Sequence, residues 1–337
     1  MFGKISAILL AVSTCGAASA QTAEQVFTAK KTINLYIGYT PGGSYDLYSR
    51  MVAQHLGRFL PGKPTVVPNN MPGAGSLTAA NYVYEVAPKD GTALGLVSET
   101  AAMEQALGNP AVKYDATKFT WIGRVASSNN IHLVWHTAKA QSVEDAKTTE
   151  MTVAGTGPAN LAEAVPRLLN ARSGTKFTII SGYQASGPGM LAMERGEVAG
   201  SGTSWAIVKA TKQDWLKNKQ VKIILQDVPE RAADLPDVPA LVEFGKTPED
   251  KQLLGLYASG GAIGRAVFGP PGIPPQIAKA LQDGFAAMVK DPEFLADLQK
   301  ANLDVEPDTP ENLARVVAAT VQVPDSVRAR VRSIFGN

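Results

Sequence analysis

Twice along the chain, short β-branched runs feed glycine-rich turns and then amphipathic segments, and this order constrains the fold more than any other feature of the 337 residues. Residues 33–37 alternate apolar and polar, as a half-buried strand does. Gly38-Tyr39-Thr40-Pro41-Gly42-Gly43-Ser44 breaks that run. Tyr48, Val52, Leu56 and Phe59 then recur three and four apart on one helical face, and Pro61-Gly62 stops the helix. The cycle repeats with a strand at 65–67, a second glycine-rich loop at 69–76, a helix over 77–86 and a strand at 93–97. Such alternation predicts an α/β fold with parallel strands and helices on both faces.

The pattern restarts in the middle of the chain. Strands are predicted at 131–135, 151–154, 177–180 and 221–225, with helices over 159–170 and 188–195. Pro166 predicts a kink or break in the first of these helices. The last quarter reads as helical, with Asp291-Pro292 and Thr309-Pro310 each pairing an N-cap residue with Pro at the first helical position. Two α/β halves joined by a chain that crosses over and returns fit this order. The crossings are expected near Val125 and between about 226 and 254, giving one lobe from 31–125 with 255–337 and another from 126–254.

The first twenty residues read as an export signal. Lys4 precedes an apolar run at 5–12 that is too short to span a bilayer, and Ala18-Ser19-Ala20 predicts cleavage after Ala20. The rival reading is a lipid anchor at Cys15, although Thr14 is a poor fit to the small residue needed before it. Cys15 is the only cysteine, so a disulfide framework and a Cys-built metal site are excluded. With 32 Lys+Arg against 30 Asp+Glu and no basic block, nothing points to nucleic acid.

Catalytic motifs are missing. There is no G-x-S-x-G elbow around Ser186 or Ser201, no Walker motif, and Gly73-Ala74-Gly75 places Thr78 where a dinucleotide fingerprint needs glycine. His132 and His136 fall in a predicted strand, where residues four apart lie about 13 Å from each other, too far to share a metal. They read as half-exposed histidines at a lobe crossing. Neither a metal nor a cofactor is expected.

What remains is glycine-rich loops placed where strands feed helices. The loop from Tyr39 through Pro41, Gly42 and Gly43 to Ser44 opens the first helix, and Thr156-Gly157 opens another in the second half. Helix N-termini carry unpaired N–H groups and partial positive charge, and glycines admit a ligand close to the backbone. Facing each other across a cleft, two such loops grip a carboxylate without Arg or Lys. Asp46, in the first helical turn, repels an anion, so it is expected to hold the loop through backbone N–H groups.

These residues resemble a known family. Tyr39-Thr40-Pro41-Gly42-Gly43-Ser44-Tyr45-Asp46, Val66-Val67-Pro68-Asn69-Asn70-Met71-Pro72-Gly73-Ala74-Gly75, Pro88-Lys89-Asp90-Gly91-Thr92, Glu194-Arg195-Gly196-Glu197-Val198, Leu235-Pro236-Asp237-Val238-Pro239 and Pro270-Pro271-Gly272-Ile273-Pro274 occur in the order seen in Bug-type solute receptors of tripartite tricarboxylate transporters. The resemblance implies a type II-like, two-lobed periplasmic binding protein, each lobe a mostly parallel sheet flanked by helices, with a hinge of two crossing segments. It implies a monomeric periplasmic receptor, not an enzyme, that closes on a small organic (di)carboxylate or aromatic carboxylate. Delivery is then to integral membrane transporter subunits. A periplasmic sensor and a secreted enzyme on the same scaffold are the rivals. The carboxylate is assigned to Tyr39–Ser44 with Thr156 and Gly157, and the distal pocket to Ser98, Glu99, Tyr183, Ser204 and Trp205, with Arg265 as a candidate partner for a second carboxylate. Ala199-Gly200 after Val198 departs from members that carry an acidic residue there, which argues against an amino-acid ligand.

Overall fold

The computed structural model describes residues 22–28 and 30–335. The export signal and the Cys15 anchor concern positions outside the described residues. Four strands, β1 (Thr32–Ile37), β2 (Thr65–Asn70), β3 (Ala93–Leu96) and β4 (Thr120–Arg124), precede the first crossing. Five more, β5 (Asn130–Trp135), β6 (Met151–Gly155), β7 (Phe177–Ser181), β8 (Gly200–Ser204) and β9 (Val221–Gln226), build the second half, and β10 (Ala266–Gly269) returns to the first.

The strands form two five-stranded sheets of like design, in the orders β2-β1-β3-β10-β4 and β7-β6-β8-β5-β9. In the first, β1 runs parallel to β2 and β3, while β10 is antiparallel to β3 and β4. In the second, β6 runs parallel to β7 and β8, while β5 is antiparallel to β8 and β9. Each sheet is therefore mixed: four strands share a direction and one opposes them. That opposing strand, β5 or β10, is the one the chain enters immediately after crossing over.

Alternation explains how β1 sits. Ile33, Leu35 and Ile37 are fully buried and pack with Val52 and Leu56 of the Ser44–Leu56 helix and with Ile277, Leu281 and Phe285 of the Pro275–Met288 helix. Phe119, Trp121 and Phe268 pack edge-on and tilted against one another in a cluster with Ala79, Ala80 and Val83. The second sheet has its own cores, and Val327 and Val331 of the C-terminal Asp325–Phe335 helix join one of them beside Leu161, Leu168 and Leu169. Pro166 does not break its helix: Leu161–Ser173 runs through it. Only the bond to the Ala162 carbonyl is lost there, and the burial of Leu161, Val165, Leu168 and Leu169 outweighs it.

Two segments cross between the sheets and pair with each other. Val125 N–H donates to the Arg265 carbonyl (3.1 Å), Arg265 N–H to that of Ala126 (2.9 Å), and Ser128 N–H to that of Gly261 (3.0 Å). Gly264 is left-handed, and a Cβ there meets the Ala126 carbonyl at 2.3 Å, so only glycine lets the segments approach this closely. No helix among the described residues is long and apolar enough to cross a membrane.

Candidate functional site

A cavity of about 40 Å³ lies where the two sheets face each other, and both halves of the chain line it. Gly43, Ser44 and Tyr45 come from the start of the Ser44–Leu56 helix, and Asn160 and Ala162 from the start of the Leu161–Ser173 helix. Ala185 and Ser186 begin the Ser186–Glu194 helix, and Ser204 caps Trp205–Thr211. Four helix N-termini thus converge on one small space. Helix first turns carry partial positive charge that draws an anion. In two of the four, however, first-turn amides are already engaged: Ala162 N–H is capped by Asn160 Oδ1 (3.0 Å) and Trp205 N–H donates to the Asn129 carbonyl (2.8 Å). Among the described residues that line the cavity there is no Lys or Arg, and the charged group is Asp227.

Carboxylates hold the two loops from behind. Asp46 accepts from the Gly42 amide (3.1 Å), from Asn70 Nδ2 (2.9 Å) and from Arg50 (2.9 Å). Burial opposes its ionisation, but the bonds from Arg50, Asn70 and Gly42 prevail and hold its carboxyl below the usual range. In the other half Glu163, also in the first turn of its helix, accepts from the Gly157 amide (3.2 Å), Ser181 Oγ (3.0 Å) and Arg167 (2.7 Å). The amides of Gly42 and Gly157 are therefore engaged within the protein. Those of Ser44 and Tyr45 belong to the unpaired first turn.

The loops meet directly. Gly157 is left-handed, and a Cβ there lies 2.9 Å from the Gly75 amide nitrogen; a Cβ on Gly75 lies 3.0 Å from that of Ala159. Tyr39 bridges the halves, accepting from Asn160 Nδ2 (2.7 Å) while stacking on Tyr45. Burial pushes its phenol well above the ordinary range, so it stays neutral.

Behind the cavity lies a buried ion pair. Arg265 donates to Glu99 (3.0 Å) and to Ser44 Oγ (2.9 Å), and its guanidinium sits 4.1 Å over the Tyr45 ring. Glu99 also accepts from Asn130 Nδ2, and its own amide donates to Tyr45 Oη (3.0 Å). This cluster ties the first loop to both crossing segments. On the opposite wall His132 Nε2 bonds Asp227 Oδ2 (3.1 Å). His132 is buried rather than half-exposed, because β5 is flanked by β8 and β9; His136, past the end of β5, is exposed.

The structure gathers some of the predicted residues and separates others. Tyr39, Gly43, Ser44, Thr156 and Ser204 line the cavity. Pro41 and Gly42 are exposed beside it, and Asp46 and Glu99 act from behind. Ser98 is buried with Thr100, its Oγ 2.7 Å from Thr100 Oγ1. Gly157 and Tyr183 line a neighbouring cavity of about 240 Å³ that shares Tyr39 and Thr156 with the first. Trp205 faces a separate groove with Lys209 and Asp304, its Nε1 donating to Asp234 (2.7 Å). Arg265 is fully buried and carries its own counter-ion. Sequence reasoning missed Asn130, Asn160, Ser186, Thr203 and Asp227. Only Asn160 carried a signal, as an N-cap residue three positions after Gly157.

Comparison with known proteins agrees on the family. A family model described as tripartite tricarboxylate transporter family receptor matches residues 49–327. A Cupriavidus necator protein described as "UPF0065 protein in gbd 5'region" is 24% identical over 302 residues, covering 87% of this chain and 85% of its own length. Among solved structures, the periplasmic binding protein BugD shares the fold at TM-score 0.70 and 19% identity, covering 90% of this chain and 98% of its own. An R. palustris protein solved with adipate gives 0.69 and 20%, with 91% and 97% covered. MatC from Rhodopseudomonas palustris, with bound malate, gives 0.68 and 20%, with 90% and 98% covered. The chain belongs to the tripartite tricarboxylate transporter family of receptors.

Proposed function

We infer that this receptor captures a small organic acid between its two lobes, holds the carboxylate on first-turn amides, and delivers it unchanged. The observation that carries this is a cavity bordered by four helix N-termini and lined, among the described residues, by no cationic side chain. Helix N-termini favour negative charge, and a carboxylate matches paired N–H donors in shape. The acids bound by the adipate and malate structures accord with this class. Gly43, Ser44, Thr156 and Ser204 are the contacts proposed for the acid, with Tyr39 setting the distance between lobes. The lobes turn on the paired crossing segments near Val125 and Arg265, and the ligand drives closure because it touches both halves at once only in the closed state.

The reading places the receptor in the periplasm as an exported monomer, handing its acid to integral membrane subunits, with no chemistry on the ligand. A thermal-shift screen of mono-, di- and tricarboxylates beside their neutral amides tests it. Acids raise the midpoint and amides do not. Equal shifts with an acid and its amide contradict the reading. Mass spectrometry of the ligand recovered from denatured protein returns the acid itself if no catalysis occurs, and a changed mass overturns the receptor role.

A further inference from the structure

Three buried oxygens in the cavity residues have no partner among the described residues: Thr156 Oγ1, Thr203 Oγ1 and Asp227 Oδ1. Asp227 matters most, because it is charged and only 1% exposed. It sits at the end of β9, where its amide donates to the Asn130 carbonyl (2.7 Å) and fixes the backbone. One carboxylate oxygen, Oδ2, is held by His132 Nε2. The other is left without a donor. A buried carboxylate oxygen without a partner costs free energy in every state in which no donor reaches it. Loops that recruit Asp46 and Glu163 so fully show that this chain satisfies its other buried carboxylates near the site.

The acid held by the amides at Gly43–Tyr45 shares its small cavity with Asp227. A plain carboxylate there meets a like charge and brings nothing for Oδ1 to accept. An acid with an N–H or O–H group on its chain meets the amides at one end and Asp227 at the other. At about 40 Å³, the cavity has room for the centres of roughly three waters, which favours a short separation between the two ends.

Resting on the acid reading above, we propose that Asp227, oriented by His132, reads a hydrogen-bond donor on the bound acid, so that the ligand class is short amino- or hydroxy-substituted acids. This reverses the expectation drawn from Ala199-Gly200, because the acidic group comes from the end of β9 instead. Burial also lifts the Asp227 carboxyl above its ordinary range, while His132 works against that rise. A ligand donor adds to the His132 side of the balance.

The test is isothermal titration of the protein with two matched series, propanoate, lactate and alanine, then succinate, malate and aspartate. The amino or hydroxy member of each series binds about 10- to 150-fold tighter than the plain acid, the worth of a hydrogen bond to a charged group. Asp227→Asn brings that ratio to within about threefold while plain acids bind at least as well, which also reports that the variant is folded. Asp227→Ser, read the same way, covers the case in which the asparagine variant does not fold. Plain acids binding as tightly as their substituted partners, or a preference that survives both variants, overturns this inference and leaves the acid reading standing. Binding of none of the six overturns both.

Discussion

Gly157 offers a clean test of whether closure of the opposed loops is coupled to ligand. Its φ of +115° is a conformation that L side chains rarely adopt, and a Cβ there lies 2.9 Å from the backbone nitrogen of Gly75 in the other half of the chain. Gly157→Ala therefore has two effects: backbone strain of about 1–3 kcal/mol, and an overlap that arises only when the loops touch. Gly182 separates them. Its φ is +112°, yet a Cβ there meets nothing within 4 Å, so Gly182→Ala carries the strain without the overlap. Both variants should lose stability to a similar degree in urea. Only Gly157→Ala should also lose affinity, because forcing a methyl into packed contact costs about 1–3 kcal/mol, or about 5- to 150-fold in Kd. Titration calorimetry with an acid that raises the wild-type midpoint reads the affinity. Gly157→Ala binding as tightly as Gly182→Ala would refute the coupling, since the Gly75 contact would then play no part in the bound state.

Further predictions concern charge. Arg265→Met strands Glu99 in the interior and should destabilise by about 3–5 kcal/mol in chemical denaturation, whereas the Arg265→Met/Glu99→Met pair should recover part of that loss. Asp46→Ala should cost about 2–3 kcal/mol and weaken acid binding, because the Gly42 amide, Asn70 and Arg50 all lose their acceptor. Its carboxyl is held below the usual range, so the stability it supplies is present above the unfolded pKa and disappears as pH falls through the folded one; an acid titration of the Asp46→Ala variant should lack that component. Glu104 behaves oppositely: burial pushes its carboxyl up to about 7, against a bond from Asn109, so stability should fall by about 2–3 kcal/mol as pH rises from about 4.5 to 7. Thermal melts of Glu104→Gln across that range should be flatter than wild type. Trp205→Ala should leave the Kd for a short acid within about threefold, since the ring faces a different groove.

Much of this was legible in sequence because burial leaves a period. The alternation at 33–37 and the three-and-four spacing of Tyr48, Val52 and Leu56 produced the βα order of the first sheet and put Gly43 and Ser44 at the mouth of a helix. Three strands left no such trace. β8 is Gly-Ser-Gly-Thr-Ser, buried on both faces by small residues, with no alternation to read. β4 and β10 are short and nearly all buried, and their pairing is antiparallel and remote in sequence. Asp227 was invisible for a related reason. Nothing local distinguishes an aspartate after a strand from a solvated turn residue, and its role appears only once β5 brings His132 beside it. Arg265 likewise read as a candidate partner for a ligand carboxylate, and its internal partner, Glu99, lies 166 residues away in sequence, where no local pattern announces it.

The most direct test is an amide ¹⁵N–¹H titration of the protein with the tightest-binding acid of the two series. The Ser44, Tyr45 and Ser186 resonances should move downfield together and saturate at the calorimetric Kd, as N–H groups do when they take up a carboxylate. Should those signals hold still while the side-chain resonances of lysines or arginines on the surface respond instead, capture by helix-end amides is not how this receptor works.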